Sequence, residues 1–303
     1  MNVMINDKMA CDDKQLSIII VAYNSNKEVA ECFKSLSKFN PIGRALEVVV
    51  VDNKPDTGLN DLLCEEPCNF TFRYVPNAAN TGFGGGNNLG VKASSAPNVM
   101  FLNPDTIAVD DFITPTLEAL SSDSCVVVGY RLIDREGHLN NSYSYMPEYV
   151  FLFPLLHLLE RFSFNFFINK VPFINSITWP WGAAFSLRRD KFVEAGGFDE
   201  NIFLCNEEPD LMKRISHRKV CVLSVPIIHL EGHGREVPVK RYAAYLQSTD
   251  YYLKKHNIRL RKLFWGWTAT KLWLKKLRGA DKNTRNLIEA FEAFKHSNKN
   301  IEK

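Results

Sequence analysis

The sequence predicts an α/β fold in which a mostly parallel central sheet is covered by helices on both faces. Short β-branched runs alternate along the 303 residues with stretches of helical periodicity, which is typical of parallel strands joined by crossover helices. The strand-like runs are apolar at successive positions, as expected for strands buried on both faces. Hydrophobic residues make up 46% of the chain and charged residues 23%, a globular composition with a substantial core.

The first three elements form a predicted β-α-β unit. Residues 16–22 (LSIIIVA) predict a buried strand, and residues 46–51 (LEVVVV) predict a second one. Between them, apolar residues at helical spacing predict a helix to about Phe39, with Asn26 placed to cap its start. The length of this unit fits a right-handed crossover between parallel strands.

The same patterns predict the remaining elements. A Gly- and Asn-rich loop at 77–88 is expected to lead into a helix at 89–94, and the apolar, aromatic segment 147–173 is interrupted by prolines. Near the C-terminus, apolar residues at three- and four-residue spacing predict a helical basic segment. Strands are predicted at 70–75, 99–102, 125–132, 179–187 and 220–225, helices at 110–120, 190–195 and 207–217, and a polar loop at 227–234.

Charge and cysteine content indicate the protein's surroundings. The net charge is +3, but nine Lys or Arg and no Asp or Glu lie between Tyr251 and Ala280, interleaved with three tryptophans. The seven cysteines lack zinc-ligand spacing, which favours reduced thiols. Residues 1–15 show no apolar signal-peptide core, and the apolar stretch 149–168 contains charged residues that disfavour a spanning helix. We therefore expect a cytoplasmic protein.

Polar residues are concentrated where predicted strands end. Asp52 and Asp105 each follow a buried strand, and ligands of open α/β sheets bind beyond the carboxyl ends of the strands. For either residue alone, a turn or helix cap is the plainer interpretation. The glycines at 82–86 would let backbone approach a ligand, or form only a flexible turn. Their spacing does not match a dinucleotide fingerprint, and no Walker lysine follows, which disfavours a dehydrogenase.

Two groups of residues are candidates for chemistry. Asp105 with a later histidine, His229 or His233, could hold Mg²⁺ or Mn²⁺ against a diphosphate, although a lone histidine is more often structural. Glu207, Glu208 and Asp210 crowd three carboxylates into four residues, which raises their pKa values and suits a general base. An acidic helix start that complements the helix dipole is the alternative.

Several segments, in this order, resemble inverting GT-A glycosyltransferases of family 2, in the rhamnosyltransferase-like branch. The resemblance covers about residues 16–234, and no single segment carries it alone. The segments are 17–24 (SIIIVAYN), 51–53 (VDN), 80–87 (NTGFGGGN), 102–106 (LNPDT), 181–183 (WGA), 196–200 (GGFDE), 206–211 (NEEPDL) and 229–233 (HLEGH).

The resemblance implies roles for individual residues. Glu208 is the implied base, with Glu207 or Asp210 as alternatives, and the metal ligands are Asp105 and His229, with His233 as second choice. The implied donor-binding residues are Tyr23, Asn24, Asp52, Asn53, Asn80, Gly82, Asn87, Asn103 and Asp105. On the acceptor side the resemblance implies Trp181, Gly182, Ala183 and Asp199.

The chain departs from the family pattern at two positions. Asn103 replaces the first acidic residue of the D-x-D metal motif, so Asp105 alone would supply its carboxylate. Glu208 stands where the family base is usually Asp, and its extra methylene requires an adjusted geometry.

The resemblance also implies a domain plan. The residues before 16 are expected to be flexible, and residues 16–240 to form the GT-A catalytic domain. Its nucleotide-binding half would cover about 16–132 and its acceptor half about 133–240. Residues 241–303 would form a helical appendage.

The implied reaction moves a sugar to a hydroxyl of a polyprenyl-diphosphate-linked or polysaccharide acceptor, with inversion, in cell-surface glycan biosynthesis. L-Rhamnose from dTDP-L-rhamnose is the first choice, and UDP-galactofuranose, UDP-hexose or UDP-N-acetylhexosamine are alternatives. Residues 251–278 are expected either to contact the inner face of the cell membrane or to pack on the domain. No nucleic-acid partner is expected, and a homo-oligomer is left open. A non-catalytic nucleotide-sugar-binding protein and a nucleotidyltransferase are the competing hypotheses.

Overall fold

The computed structural model describes residues 14–149, 172–215, 219–230 and 236–297. Residues 1–13 of the expected flexible N-terminus, residues 150–171 of the apolar segment 147–173 and His233 lie outside these ranges. The strands are β1 Leu16–Ala22, β2 Leu46–Asp52, β3 Thr71–Pro76, β4 Asn98–Leu102, β5 Thr106–Ala108, β6 Val127–Ile133, β7 Tyr143–Tyr145, β8 Thr178–Pro180, β9 Ala184–Arg188 and β10 Val220–His229. The helices are α1 Asn26–Lys38, α2 Leu59–Glu65, α3 Gly82–Ala93, α4 Ile113–Ser121, α5 Pro172–Ile177, α6 Arg189–Glu194, α7 Glu207–Arg214, α8 Val239–Lys255, α9 Arg261–Leu277 and α10 Lys282–Ser297.

The central sheet has eight strands in the order β3-β2-β1-β4-β9-β6-β10-β5. Strands β3, β2, β1 and β4 pair in parallel, and β6 pairs in parallel with β10. Strand β9 runs antiparallel between β4 and β6, and β5 runs antiparallel to β10. The prediction of a mostly parallel α/β sheet is therefore confirmed.

The apolar runs form central strands because both of their faces are covered. In β2, Val48 and Val50 pack into one hydrophobic cluster, while Val49 and Val51 pack into a second cluster on the opposite face. All four side chains are fully buried. Successive side chains of a strand point to opposite faces, so a run without polar positions requires a three-layer arrangement.

The glycine-rich segment is a helix, so the predicted loop over 77–88 was wrong over its second half. Helix α3 begins at Gly82 and lies against β1. A Cβ atom at Gly90 would lie 2.3 Å from Ile19 Cγ2, and one at Gly86 would lie 2.8 Å from Val21 Cγ1. These glycines therefore form a face through which the helix backbone approaches the strand closely.

Two further predictions fail at strand boundaries. The single strand expected over 179–187 is divided into β8 and β9 by a turn at residues 181–183. Strand β10 does not end at Val225 but continues past Pro226 through a register shift and reaches His229. The short strand β5 was not predicted, and it pairs with this last part of β10.

The C-terminal helical region that the sequence predicts is present as α8, α9 and α10, which pack around a hydrophobic cluster of their own. At its centre the Trp265 ring lies 4.9 Å from the Phe294 ring. Helix α8 also contacts the sheet domain, where the Tyr252 hydroxyl donates to Glu148 at 2.8 Å. None of the helices in the described ranges is long and apolar enough to cross a membrane.

Candidate active site

The carboxyl ends of β1 and β2 meet at one edge of the sheet and are linked by backbone hydrogen bonds. The Asn53 N–H donates to the Ala22 carbonyl at 2.9 Å, and the Asn77 N–H donates to the Asp52 carbonyl at 2.8 Å. The parallel register aligns Ala22 with Asp52, so the residues that follow both strands lie side by side. Asp52 and Asn53, which the sequence resemblance assigns to the donor side, therefore lie beside the end of β1 at this edge of the sheet.

A network of amides fixes the start of α3 at this edge. The Asn77 side chain donates to Asn53 Oδ1 at 2.7 Å, and Asn53 Nδ2 donates to the Gly82 carbonyl at 3.1 Å. Gly82 has a positive φ of 74°, and a Cβ there would lie 2.3 Å from the Phe203 carbonyl oxygen. Only glycine fits this position, because both its backbone conformation and its surroundings exclude a side chain.

The other donor-side residues differ in exposure. Tyr23 is exposed, and Asn24 and Asn80 have positive φ angles of 52° and 45°. Asp52 is buried and accepts hydrogen bonds from the Tyr74 hydroxyl at 2.8 Å and the Lys54 N–H at 2.9 Å. Asn87 is 1% exposed and donates to the Phe83 carbonyl of its own helix. The contacts of Asp52 and Asn87 shown here hold the fold, and the donor-lining role of both residues stays a prediction.

Asp105 and His229 are brought together by strand pairing. Strand β5 places Thr106 opposite His229, and the Leu230 N–H donates to the Asp105 carbonyl at 2.9 Å. The distance between Asp105 Oδ1 and His229 Nε2 is 3.4 Å. The two predicted metal ligands, 124 positions apart in the chain, are therefore neighbours in the structure.

Backbone contacts connect this pair to the predicted base. Asn103 follows β4, and its N–H donates to the Ala183 carbonyl at 2.9 Å. The neighbouring Gly182 N–H donates to the Glu208 carboxylate. A Cβ atom at Gly182 would lie 1.9 Å from Glu208 Oε1, so a glycine is needed for this approach. The turn at 181–183 therefore positions the Glu208 carboxylate.

Glu207 and Glu208 lie at the first turn of α7 in a poorly solvated environment. Burial raises the pKa of Glu208 to about 7, although the hydrogen bond from Gly182 acts in the opposite direction. Burial and then the charge of Glu208 raise the pKa of Glu207 well above its usual value. Glu207 is 1% exposed, and its Oε1 has no hydrogen-bond partner within the described residues. A carboxyl that titrates near neutral pH suits a general base.

Asp210, the second alternative base, is surrounded by cations. The carboxylate is 0% exposed and binds Arg214, Lys255 and His256, with 2.7 Å to Lys255 Nζ and 2.8 Å to His256 Nε2. Burial raises its pKa, but the hydrogen bonds from His256 and Lys255 outweigh burial, and the pKa is lowered. A carboxylate with these partners is a weak proton acceptor.

Lys255 also binds Asp199, the predicted acceptor-side acid. The distance from Lys255 Nζ to Asp199 Oδ2 is 2.7 Å, and the Tyr251 hydroxyl donates to the same oxygen at 2.9 Å. We call the set Asp199, Asp210 and Lys255 the lysine bridge. It fastens α8 to α7, and the acceptor-side role of Asp199 stays a prediction.

Sequence reasoning missed the lysine bridge and Asn88. The Asn88 side chain accepts from the Phe198 N–H and donates to the Phe198 carbonyl, both at 2.9 Å, and so ties α3 to segment 196–200. The available signal for Asn88 was an asparagine pair directly after a glycine run. Nothing local indicates that Lys255, in a run of basic residues, contacts Asp210.

A family model described as Glycosyl transferase family 2 matches residues 17–194, more than half of the chain and most of the elements just described. The chain belongs to glycosyl transferase family 2. The central sheet with its antiparallel β9 and its site at the carboxyl edge is the GT-A fold of such enzymes.

Three similar proteins are named as sugar transferases. A low-salt glycan biosynthesis hexosyltransferase of Haloferax volcanii is 24% identical over 80% of this chain and 76% of its own length. A rhamnosyltransferase of Escherichia coli is 26% identical over 82% of this chain and 96% of its own. The N-acetylglucosaminyl-diphospho-decaprenol L-rhamnosyltransferase of Mycobacterium tuberculosis is 26% identical over 78% and 83%.

Solved structures of glycosyltransferases share the fold. A mannosyltransferase of Pyrobaculum calidifontis, solved with GDP-Man and Mn²⁺, matches with a TM-score of 0.59 and 13% identity over 94% of this chain and 81% of that one. Residues 1–349 of Staphylococcus aureus TarS match with a TM-score of 0.52 and 12% identity, over 93% of this chain and 92% of that fragment.

Asp105 and His229 have the chemistry and the spacing to hold a divalent metal ion. A carboxylate oxygen and an imidazole nitrogen bind such an ion at about 2.1 Å each, so donors 3.4 Å apart can share one ion. A second cluster of donors, at Asp134, Glu136 and His138, lies in a surface turn. Asp134 there accepts from the His138 N–H at 2.8 Å and closes the turn, which accounts for the cluster without an ion.

Proposed function

We propose that the protein is an inverting glycosyltransferase that moves a sugar from a nucleotide sugar to an acceptor hydroxyl by direct displacement. One observation carries this proposal: the Glu208 carboxyl, with its pKa raised to about 7 by burial, is held by Gly182 in the turn that also binds the backbone of Asn103. The proposed base Glu208 and the proposed metal ligand Asp105 are therefore linked through backbone hydrogen bonds of the turn at 181–183 and of Asn103.

Glu208 is the proposed general base. Its carboxylate would take the proton of the acceptor hydroxyl as that oxygen attacks the sugar C1 from the side opposite to the nucleotide. A single displacement inverts the anomeric centre and requires no covalent intermediate, so no Cys or Ser nucleophile is assigned. Burial and the charge of Glu208 raise the pKa of Glu207 well above its usual value, so Glu207 is expected to stay protonated beside the ionised base.

Asp105 and His229 are proposed to hold Mg²⁺ or Mn²⁺. A bound divalent ion supplies charge neutralisation for the departing nucleoside diphosphate. Asn103 contributes an amide at the first position of the D-x-D motif, so one carboxylate and one imidazole form the protein's proposed share of the ligands. The donor set of oxygen and imidazole nitrogen suits Mn²⁺ at least as well as Mg²⁺.

The donor is proposed to lie along the edge formed by β1, β2 and α3. Tyr23 and Asn24 stand exposed at the end of β1, where they can meet the base and ribose. The first backbone N–H groups of α3 carry no intrahelical partners and face a diphosphate favourably. Asp52, Asn53, Asn80, Gly82 and Asn87 complete the proposed donor side.

The acceptor side is proposed at Trp181, Gly182 and Ala183. The Trp181 Nε1 atom is buried and has no hydrogen-bond partner in the described part of the chain, so an N–H remains that a bound acceptor could satisfy if the tryptophan side chain turned toward it. Gly182, the next residue, contacts the Glu208 carboxylate, so an acceptor at this turn would lie near the proposed base.

We infer dTDP-L-rhamnose as the donor and a polyprenyl-diphosphate-linked saccharide as the acceptor. Support comes from the two rhamnosyltransferase relatives, one of which is named for a diphospho-decaprenol substrate. A lipid-linked acceptor implies work at the inner face of the cell membrane. UDP-galactofuranose, UDP-hexose and UDP-N-acetylhexosamine are the alternative donors.

A thermal-shift and product analysis tests the proposal. The full-length protein is heated with dTDP, UDP and GDP and their sugars, with and without Mn²⁺, because binding to the native state raises Tm. We expect a metal-dependent increase with dTDP ligands, and NMR of the product should show the opposite anomer to the donor. A shift without transfer to any lipid-linked acceptor would favour the non-catalytic binding protein.

A further inference from the structure

The outward face of α9 is apolar. Five of the ten exposed large hydrophobic residues in the described ranges lie on this single helix: Leu263, Trp267, Trp273, Leu274 and Leu277. Leu263, Trp267, Leu274 and Leu277 recur at the spacing that forms one stripe of a helix. We call these four residues the outer stripe. A contiguous exposed apolar stripe on a folded domain marks a site of interaction.

The fold does not need the outer stripe. The opposite side of α9 carries Trp265 and Leu272, which are 3% and 7% exposed and pack into the cluster formed with α8 and α10. The Trp265 ring lies 4.9 Å from the Phe294 ring, and its Nε1 donates to Asp250 at 3.1 Å. The helix is therefore held by its inner face, and the outer stripe is left for a partner.

Cations border the outer stripe on both sides. Helix α9 contains five Lys or Arg and no carboxylate. At 100° per residue, Lys271 and Lys275 lie on one side of the stripe, about 80° and about 120° from Leu263, and Lys262 lies on the other side, about 100° from it. The Lys271 Nζ atom lies 5.9 Å from the centre of the Trp267 ring. An apolar strip with tryptophan, flanked by lysines, matches the acyl region and the anionic headgroups of a bilayer.

A cavity of about 220 Å³ opens beside the outer stripe, between α9 and α10. Its walls include Trp265, Phe291 and Ala269, and Lys262 and Lys295 belong to its lining. Apolar walls combined with two lysines suit a molecule with an acyl chain and an acidic headgroup.

We propose that the outer stripe of α9 docks in the plane of an anionic phospholipid bilayer. A second copy of this chain fits the surface less well, because facing copies would bring lysines against lysines without a carboxylate on either helix. The proposal adds a membrane-binding surface to the proposed glycosyltransferase. It rests on the proposed function at one point: a lipid-linked acceptor would lie in a bilayer.

Docking would also orient the catalytic domain. Arg261 at the start of α9 binds Asp250 of α8 at 2.8 Å, and α8 is fastened to α7 by the lysine bridge. The helix that meets the bilayer is thus connected through packed, ion-paired elements to the helix that carries Glu208. A bilayer contact at α9 would therefore fix the direction from which a lipid-linked acceptor approaches.

Flotation of the full-length protein with vesicles tests the proposal. Vesicles of phosphatidylcholine are compared with vesicles that also contain phosphatidylglycerol, at low and high salt. We expect the protein to float with the anionic vesicles and to be released by salt, because the lysines bind headgroups electrostatically. The triple variant L263S/L274S/L277S should bind the vesicles at least about tenfold more weakly, since three of the four apolar side chains that would enter the bilayer are replaced by serine.

The matched control is L139S/V193S, which removes two equally exposed apolar side chains far from α9 in sequence. It should float like the original protein, and Tm and dTDP binding should be unchanged in both variants. Failure of the original protein to float with anionic vesicles, or equal flotation of the triple variant, would overturn the proposal. A dimer that the triple variant dissociates, without lipid binding, would assign the stripe to a second copy. Since dTDP binding is measured on the same samples, a failure of the proposed donor site is distinguished from a failure of the surface.

Discussion

At the scale of single residues, Glu208 carries the chemistry that we propose. Its carboxylate accepts the Gly182 N–H, and an amide oxygen can accept the same bond. The substitution Glu208→Gln should therefore preserve donor binding and the fold, while a lost general base lowers kcat by about 10² to 10⁴-fold. Steady-state kinetics with dTDP and Mn²⁺ titrations on the same sample measure both effects.

The pH dependence of transfer provides a second check on the base. Because Glu208 acts as the carboxylate and burial raises its pKa to about 7, the rate should decline as pH falls below about 7. An acid limb near the usual carboxyl pKa, or near-normal turnover of Glu208→Gln, would move the base to another residue.

Asp105 allows a separate test of metal binding. The substitution Asp105→Asn keeps the shape of the side chain and removes its charge. Loss of an outer-shell partner alone lowers metal affinity by about 10- to 100-fold, so loss of the carboxylate ligand should do at least as much. Isothermal titration with Mn²⁺ and dTDP measures the effect, and Asp134→Asn, in the surface turn, is the control. Unchanged Mn²⁺-dependent affinity in Asp105→Asn would remove this residue from the metal site.

At the scale of elements, the glycine face of α3 sets how closely the helix approaches β1. A Cβ at Gly90 would lie 2.3 Å from Ile19 Cγ2, inside the sheet core, whereas a Cβ at Gly266 in α9 meets nothing within 4 Å. Gly90→Ala should therefore destabilise the protein by about 1–3 kcal/mol through overpacking. Gly266→Ala should stabilise it by up to about 1 kcal/mol through helix propensity.

Chemical denaturation of both alanine variants tests this contrast. Both variants gain the same intrinsic helix propensity from alanine. The difference between their unfolding free energies therefore measures the effect of packing. Equal effects at the two positions would show that α3 can shift away from β1 without loss of stability.

The lysine bridge is the element-scale device that joins the C-terminal helices to α7. Lys255→Met keeps the apolar stem and removes the cation that Asp199 and Asp210 share. Asp210 is two residues after Glu208, so a looser α7 should lower kcat by about tenfold with little change in the donor KM. Lys255→Arg should restore part of the rate. Lys254→Met, which breaks an ion pair of the same helix with Asp250, is the control. Equal losses in both variants would reduce the bridge to a general stability contact.

These elements also show how far the sequence could predict the molecule. Strand β1 matches its prediction because an apolar run between polar turns fixes a buried strand locally. The start of α3 could not be predicted, because glycine disfavours helix. The glycines are needed there because the helix packs closely on β1, which lies over sixty positions earlier in the chain. Lys255 contacts Asp210 across 45 positions, and nothing in the local sequence marks that contact. The end of β10 was missed because Pro226 usually breaks a strand, whereas a register shift accommodates it here.

At the scale of the whole molecule, carboxyls with opposite pKa shifts should control how stability depends on pH. Burial raises the pKa of Glu207 and Glu208 above the ordinary glutamate value. At Asp199, Asp210 and Asp250 the pKa is lowered. Burial by itself would raise these pKa values, but hydrogen bonds from lysine, arginine or histidine outweigh it. The first group lies at the proposed base and the second joins α8 to its neighbours.

The two groups limit stability at opposite ends of the pH range. A carboxyl whose folded pKa is raised contributes stability that is fully present below its unfolded pKa of about 4.3 and is lost as pH rises through the folded value, about 7 for Glu208. A carboxyl whose folded pKa is lowered contributes stability that is present above its unfolded pKa of about 3.9 and is lost as pH falls toward the folded value. The free energy of unfolding should therefore be greatest in the mildly acidic range between these two limits.

Melting curves from about pH 3 to about pH 9 should show this maximum and assign its two sides. Glu208→Gln removes a group that is costly to ionise, so it should raise Tm relative to the original protein only on the alkaline side. Lys255→Met should lower Tm most at neutral pH and least in acid, where the protonated aspartates no longer need a cation. These results would mean that Glu208 must ionise to act as the base, and that its ionisation destabilises the fold at the same pH. A parallel offset of the Glu208→Gln curve at every pH would contradict this, because it would mean that the carboxyl is ionised at no cost in the folded protein.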